Sequence, residues 1–106
     1  MDPRFLSTLG LCMRAGRLNF GFDTVKAAVQ EGNVRLMMTA CDLSPKTAKE
    51  AAFVADKYAV TLLPLPVTMD ELRLAMGKKT GVIAVTDEGF AKRLEELYAV
   101  REQQSL

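Results

Sequence analysis

The sequence predicts an α/β fold in which helices cover both faces of a small sheet. Segments with apolar residues at helical spacing alternate with short, continuous apolar runs, which are typical of buried strands. The predicted order is helix, helix, strand, helix, strand, helix, strand and helix, which places helices on both sides of the sheet. The chain has 106 residues, of which 49% are hydrophobic, so it can form one domain, 1–106, with a buried core.

The first two helices are predicted to meet in a turn. Asp2 can cap the first helix, and Pro3 suits the first helical position. Apolar residues then recur at helical spacing up to Gly16, where a left-handed backbone conformation can end the helix. The second helix is predicted to begin near Gly21, so that a helix–turn–helix junction lies between them.

The rest of the chain contains three predicted strands and three predicted helices. The strands are continuous apolar runs bounded by turn residues, and they occupy residues 34–39, 60–65 and 82–85. Each helix is preceded by side chains that can accept hydrogen bonds from its first N–H groups; these are Ser44, Thr68 with Glu71, and Asp87. The last residues, about 100–106, are expected to be a frayed C-terminus.

Composition excludes several classes of function. The formal net charge is +1, but residues 1–49 have seven Lys/Arg against four Asp/Glu, whereas residues 50–106 have seven against nine. We therefore expect an anionic partner to meet the first half of the chain. Since the chain has no histidine, it cannot form imidazole zinc sites, Ser–His–Asp triads or Cys–His dyads. We expect neither enzymatic activity nor a metal or cofactor.

The two cysteines and the N-terminus favour a protein of the cytoplasm. Cys12 and Cys41 are widely spaced in apolar sequence, so we expect two buried thiols in a reducing compartment and not a disulfide or a metal clamp. The sequence shows no signal-peptide pattern and no run that approaches the ~18 apolar residues of a membrane span. No association with a membrane is expected.

Residues 14–26, RAGRLNFGFDTVK, form the first candidate binding site. A helix that begins near Gly21 would offer unpaired backbone N–H groups and a partial positive charge, which suit phosphate. Phe20 is a candidate for stacking on an unpaired base. A solvated turn is the simpler interpretation of the same charges, which are those of Arg14, Arg17, Lys26 and Asp23.

A second basic turn, Gly77–Gly81, precedes the last predicted strand. It contains Lys78, Lys79 and Thr80. The turn does not match a P-loop, because it follows a helix and precedes a strand. We expect it to face the same ligand as the first basic segment.

Three segments of the chain carry a family resemblance: LGLCMRAGRL, CDLSPKTAKE and GVIAVTDEGFAKRL. The chain resembles the superfamily of ribosomal proteins that bind RNA kink-turns, the L-seven-Ae and L-thirty-e types, over residues from about 5 to 97. It is most similar to the small bacterial YlxQ-like branch. The resemblance implies a three-layer α/β/α sandwich around a four-stranded mixed sheet. It also implies that RNA is held by the first basic turn, the start of the next helix and the loop before the last strand.

The resemblance further implies which residues lie nearest the RNA. In RNA-binding members, a glycine, an asparagine, a glutamate and a lysine of that helix contact sheared G·A pairs and a phosphate. Gly21 matches the glycine of this pattern. The other three positions hold different residues here: Asp23 for asparagine, Thr24 for glutamate and Ala27 for lysine.

These observations predict a non-catalytic protein that binds structured RNA, such as a kink-turn or another bent internal loop, in association with the ribosome or translation. Phosphate contacts would come from Arg14, Arg17, Lys26, Lys78 and Lys79. One alternative is a protein-interaction module of the same fold that docks on a ribosomal or transcription component, which the residues at positions 23, 24 and 27 favour. The other is a small enzyme for a phosphorylated metabolite, and the missing histidine argues against it.

Overall fold

Helices and strands alternate along the chain as predicted, with one strand more than the sequence pattern indicated. The computed structural model describes residues 2–104, and side chains within residues 2–100. In this part of the chain the elements are α1 (Pro3–Arg14), β1 (Leu18–Phe20), α2 (Phe22–Gln30), β2 (Leu36–Thr39), α3 (Pro45–Lys57), β3 (Leu62–Pro64), α4 (Met69–Met76), β4 (Val82–Val85) and α5 (Glu88–Gln104). Of the segment expected to be frayed, residues 105 and 106 lie outside the described residues.

The four strands form one mixed sheet in the order β1-β4-β2-β3. Strand β4 is antiparallel to both of its neighbours, and its Val85 lies opposite Leu18 of β1 and Leu36 of β2. Strand β3 is parallel to β2 and ends at Pro64 on the edge of the sheet. An edge tolerates proline because one side of the strand needs no ladder hydrogen bonds.

Helices cover the two faces of the sheet unequally. On one face, Ile83 and Val85 of β4 pack into a core built with α1, α4 and α5. On the other face, Val82 and Ala84 pack against α2 and α3. Because successive strand residues point to opposite faces, the continuous apolar run of β4 supplies both cores. The predicted three-layer α/β/α sandwich with a four-stranded mixed sheet is confirmed.

Strand β1 corrects the predicted helix–turn–helix junction. Leu18 to Phe20 form an edge strand that pairs with β4, with Asn19 opposite Ala84. A segment of three residues is too short to show alternation, and its strand conformation depends on a partner more than 60 residues away in the chain. The junction between α1 and α2 therefore spans the length of a strand.

The predicted helix starts are confirmed. The Asp2 carboxylate accepts a hydrogen bond from the Arg4 amide at 2.9 Å, and Ser44 accepts one from the Thr47 amide at 3.3 Å. Thr68 and Glu71 form a capping box at α4. The Phe90 amide donates to Asp87 at 2.8 Å. These signals are local in the chain, which is why sequence alone locates them.

The two cysteines differ in their environment, contrary to the expectation that both are buried. Cys12 is buried and its thiol donates to the Arg17 carbonyl at 3.6 Å, whereas Cys41 is exposed after the end of β2. Burial raises the pKa of the Cys12 thiol to about 12, and the nearby Asp87 carboxylate adds to the effect.

Among residues 2–104, no helix combines the length and the hydropathy needed to cross a membrane.

Candidate nucleic-acid interface

Gly21 joins the edge strand β1 to helix α2 and is the centre of the candidate interface. Its φ of 86° lies in the left-handed region, which a side chain would disfavour. Its amide donates to the Val82 carbonyl of β4 at 2.9 Å, so the junction is fixed to the sheet. No side-chain hydrogen bond caps α2 at this position. The start of α2 thus keeps backbone N–H groups and a partial positive charge for a ligand.

The segment Gly77–Gly81, which we call the lysine loop, lies beside this junction. The Lys78 ammonium is 4.8 Å from the centre of the Phe20 ring, immediately before Gly21. Lys79 forms an ion pair with Asp70, with 3.4 Å between its Nζ and Oδ1 of the carboxylate. The loop and the start of α2 therefore meet at one end of β1.

Two residues of the lysine loop support it from within. Thr80 is buried, and its hydroxyl donates to the Val82 carbonyl at 3.0 Å. The side chain of Thr80, a residue that is predicted to contact RNA, therefore faces the protein. A Cβ at Gly81 would collide with the side chains of Leu43 and Met69. The C-terminal end of the loop, Thr80 and Gly81, is therefore packed against the body of the protein, while Gly77, Lys78 and Lys79 are exposed.

An open cleft runs along α2. Asp23, Thr24 and Ala27 all line it. The three positions at which this chain differs from the RNA-binding members of the superfamily that it resembles therefore face one space. All three residues are exposed. We call this space the α2 cleft; its lining consists of Arg17, Asn19, Asp23, Thr24, Ala27, Ala28, Glu31, Asn33, Arg35 and Thr86.

The charges in the α2 cleft balance. Arg17 and Arg35 supply two positive charges, while Asp23 and Glu31 supply two negative ones. The long-range attraction for phosphate in this region must therefore come chiefly from the lysine loop and the open start of α2. The cleft itself offers hydrogen-bonding groups of both kinds at close range.

Five polar residues of the α2 cleft were missed by the sequence analysis: Asn19, Glu31, Asn33, Arg35 and Thr86. Leu18 and Phe20 pack toward α1, α4 and α5, so Asn19, between them, points to the α2 side of the sheet. The signal that could have found it is the alternation of LNF, which becomes informative only once β1 is known to be a strand. Arg35 reaches the cleft from the residue before β2, with its amide bonded to the Val85 carbonyl at 2.8 Å.

The predicted cations do not form a single surface. Arg17 lies at the end of β1 remote from Gly21, where the Thr86 amide and hydroxyl donate to its carbonyl at 3.0 and 3.2 Å. Arg17 and Gly21 are four residues apart along extended chain, which separates them by about 13 Å. Arg14 lines a groove between α1 and α4, next to Leu74. Lys26 lies on the side of α2 that faces α3.

Phe20 is not a bare stacking platform. Its ring is half-buried and packs against the core formed with α1, α4 and α5. The Lys78 ammonium covers the ring at cation–π distance. A base could stack on Phe20 only after Lys78 has moved away.

Within the described residues, no group of three or more Cys, Asp or Glu side chains is placed to hold a metal ion.

Comparison with known proteins identifies the class to which this fold belongs. A 15.5-kDa RNA-binding protein of Giardia lamblia has the same fold, with a TM-score of 0.75 and 15% sequence identity over 97% of this chain and 98% of that one. This likeness shows that the two chains share one fold. A protein with unknown function from Bacillus halodurans is more similar, with a TM-score of 0.86 and 33% identity over 91% of this chain and 97% of that one.

Sequence relatives define the branch. The RNA-binding protein YlxQ of Enterococcus faecium is 30% identical over 92 residues, which cover 87% of this chain and 88% of the relative. The RNA-binding protein YlxQ of Bacillus subtilis strain 168 is 33% identical over 94 residues, 84% of this chain and 89% of the relative. The chain belongs to the YlxQ family. No protein-family model matches it.

Proposed function

We propose that this protein binds structured RNA without catalysing a reaction, and that the start of α2 and the lysine loop make the contact. Relatives in the YlxQ family are named as RNA-binding proteins. The observation that carries the proposal is the position of Lys78 over the Phe20 ring, at 4.8 Å, directly beside the uncapped start of α2 at Gly21.

Two kinds of hydrogen-bond donor for phosphate meet at that point. The first is the set of backbone N–H groups at the start of α2, which point outward and carry the positive end of the helix dipole. The second is the pair of ammonium groups of Lys78 and Lys79, both on exposed residues. Backbone donors fix the direction of approach, while lysines add charge that does not depend on exact geometry.

The shape of the region suits a bent RNA better than a straight duplex. The lysine loop lies beside Phe20 at one end of β1, and the α2 cleft extends from Asp23 to Arg17, so the binding groups occupy two adjoining regions. Phosphates on either side of a sharp bend could reach Lys78 and Arg17 together, because the two residues lie toward opposite ends of β1. A kink-turn has such a bend. Association with the ribosome or with translation in the cytoplasm belongs to the same proposal.

The direct test is a titration of the protein with a kink-turn RNA and with a straight duplex of equal length at several salt concentrations. We expect tighter binding to the kink-turn, and an affinity for both RNAs that falls as salt rises, because counterions are released from phosphates. Affinities weaker than about 100 µM for both RNAs at physiological salt would contradict the proposal, since non-specific binding alone reaches that range.

A pair of double variants locates the contact. Lys78→Ala with Lys79→Ala removes two charges from the lysine loop, while Lys92→Ala with Arg93→Ala removes two charges from exposed positions of α5. The first variant should weaken binding to every RNA and lower the log–log salt slope by about one unit per lost contact, and the second should change neither. Equal effects of the two variants would mean that net charge, and not this site, governs binding.

A protein-interaction module of the same fold is the second candidate function. The balanced charges of the α2 cleft, and the residues at positions 23, 24 and 27, favour it. This candidate predicts equal, weak binding to kink-turn and duplex, with no greater loss from the lysine-loop variant than from the α5 variant.

A further inference from the structure

We propose that the groove between α2 and α3 binds an acidic peptide segment of a protein partner, anchored by an apolar side chain. This α2–α3 groove lies on the side of α2 away from the α2 cleft, so the proposal is independent of RNA binding. Its lining residues are Phe22, Lys26, Gln30, Lys49, Glu50, Phe53, Val54, Lys57 and Tyr58.

Apolar side chains form the floor and one wall of the groove. Val54 is buried and Phe22 half-buried, so both belong to the core beneath α2 and α3. Phe53, one residue earlier on α3, has 67% of its surface exposed, and Tyr58 has 37%. A phenylalanine that exposed, beside an apolar floor, is an anchor for a partner's apolar side chain, because covering it removes a large ring from water.

Cations surround this apolar strip. Lys26 enters from α2, and Lys49 and Lys57 enter from α3, against the single carboxylate of Glu50. Among the residues whose side chains are described, none of these three lysines forms an ion pair with a carboxylate within 4.0 Å. The Lys57 ammonium lies 5.5 Å from the centre of the Tyr58 ring. The rim is thus positive and available, which complements an acidic partner.

A peptide fits this groove better than RNA does. Sequence-tolerant RNA grooves need donors along the path of the backbone and aromatic faces spaced for successive bases. Here the space is a trough between two helices with an apolar floor, which is the geometry that accepts a helix or extended segment with one or two apolar anchors. Gln30 is the only side-chain amide in the lining, so the groove has few uncharged groups that could read base edges.

A displayed library of short random peptides tests the proposal with the full-length protein. We expect selection on the wild type to enrich peptides that combine Asp or Glu with Leu, Ile, Phe or Trp. Individual enriched peptides should bind a Phe53→Ser variant and a Lys49→Glu variant at least about tenfold more weakly. Two matched variants on other faces, Leu74→Ser on α4 and Lys92→Glu on α5, should bind them as the wild type does; both residues are exposed.

Three outcomes would overturn the proposal. One is the absence of enrichment, or enrichment of basic or uncharged peptides. Another is binding of a single-stranded oligouridine that Phe53→Ser abolishes, which would make the groove an RNA site. The third is self-association of the protein that Phe53→Ser abolishes, which would make the occupant a second copy. Circular dichroism of each variant checks the fold. Phe53→Ser should bind kink-turn RNA as the wild type does, which separates this test from that of RNA binding at the lysine loop.

Discussion

Lys78 and Lys79 differ in how strongly neighbours within the chain hold them. Lys78 lies over an aromatic ring, whereas Lys79 is paired with Asp70. Both partners of that pair are more than half exposed, at 58% and 68%, so solvent screens it and it contributes about 0–1 kcal/mol to stability. The Asp70 carboxylate has more effect on RNA binding than on stability, because it places a negative charge beside a lysine that would contact phosphate.

Removing that charge should strengthen RNA binding. For Asp70→Asn we expect an affinity for kink-turn RNA about two- to fivefold higher at low salt, with the gain disappearing at high salt, because Lys79 is then free to face phosphate. Glu96→Gln, which removes an exposed carboxylate paired with Arg93 on α5, is the control and should leave the affinity unchanged. A gain of equal size from both variants would indicate a general effect of net charge.

Asp2 gives the fold a dependence on acid. A side-chain hydrogen bond from Arg4, followed by the bond from its backbone amide, lowers the pKa of the Asp2 carboxyl to about 2, from the ordinary 3.8. A lowered pKa in the folded state means that the carboxylate stabilises the fold above about pH 4, and that this contribution is lost as pH falls toward 2.

The variant Asp2→Asn should therefore melt at a lower temperature than the wild type at pH 6, and the difference should disappear near pH 2. Thermal denaturation followed by circular dichroism at several pH values measures this. A difference in melting temperature that stays constant from pH 6 to pH 2 would mean that the charge of Asp2 does not contribute.

At the level of elements, the sequence predicts those whose signals are local. Capping residues and helical spacing located the five described helices, and continuous apolar runs located β2, β3 and β4. The sequence does not predict strand β1, because its three residues form a strand only through pairing with β4. Because the sequence predicts a turn at this place, it does not predict the distance between Arg17 and Gly21 or the position of Asn19 in the α2 cleft.

The candidate site was predicted in part for the same reason. Gly21, Asp23 and Lys78 lie near one end of β1, because motif and loop positions follow from the order of elements. Arg14 and Lys26 instead face other grooves. Which face of a helix points to a given neighbour depends on packing among distant segments, and charge counts in a sequence do not contain that information.

Gly21 and Gly16 form a natural matched pair for testing the start of α2. Both have positive φ, of 86° and 72°, and an added Cβ would meet no atom within 4 Å at either position. Alanine should cost about 1–2 kcal/mol of stability through backbone strain at Gly16. At Gly21, whose ψ of 148° lies close to a region that is nearly exclusive to glycine, the cost should be near the upper end of about 1–3 kcal/mol.

The two substitutions should differ in RNA binding. Gly21→Ala displaces the first N–H groups of α2, so we expect weaker binding to kink-turn RNA, whereas Gly16→Ala, at the other end of β1, should bind as the wild type does. Affinities are measured at a temperature where both variants are folded. Equal losses would show that general destabilisation, and not the start of α2, explains the effect.

Helix α2 also carries the departures from the family pattern. The triple variant Asp23→Asn, Thr24→Glu and Ala27→Lys restores the residues that the resemblance implies, all at exposed positions of the α2 cleft. Hydrogen bonds to charged groups contribute about 1.5–3 kcal/mol each at best. Even half of the sum for the three substituted positions predicts a gain of roughly a hundredfold in kink-turn affinity.

A straight duplex should gain far less from the triple variant, because it would meet only the unchanged phosphate-binding groups. Parallel titrations of both RNAs with wild type and variant give the comparison. If the variant is folded and binds kink-turn and duplex equally well, then this face of α2 does not contact RNA, and the protein-interaction function becomes the better account.

At the scale of the whole molecule, α2 divides two candidate surfaces. One side lines the α2 cleft and leads through Gly21 to the lysine loop, while the other lines the α2–α3 groove with its exposed Phe53. The sheet and the helices behind it hold these surfaces in a fixed relation, since the two cores share β4. A structured RNA and an acidic peptide could therefore be bound at once, on opposite sides of one helix.

Amide chemical-shift mapping tests the central claim most directly. The isotope-labelled protein is titrated with kink-turn RNA to saturation, and shift changes are assigned to residues. We predict that the largest changes fall at residues 21–24 and 77–81, with smaller ones along the α2 cleft and none at residues 49–57 of α3. Saturation with changes centred on α3 or α5, or with no changes around Gly21 and the lysine loop, would contradict RNA binding at this site.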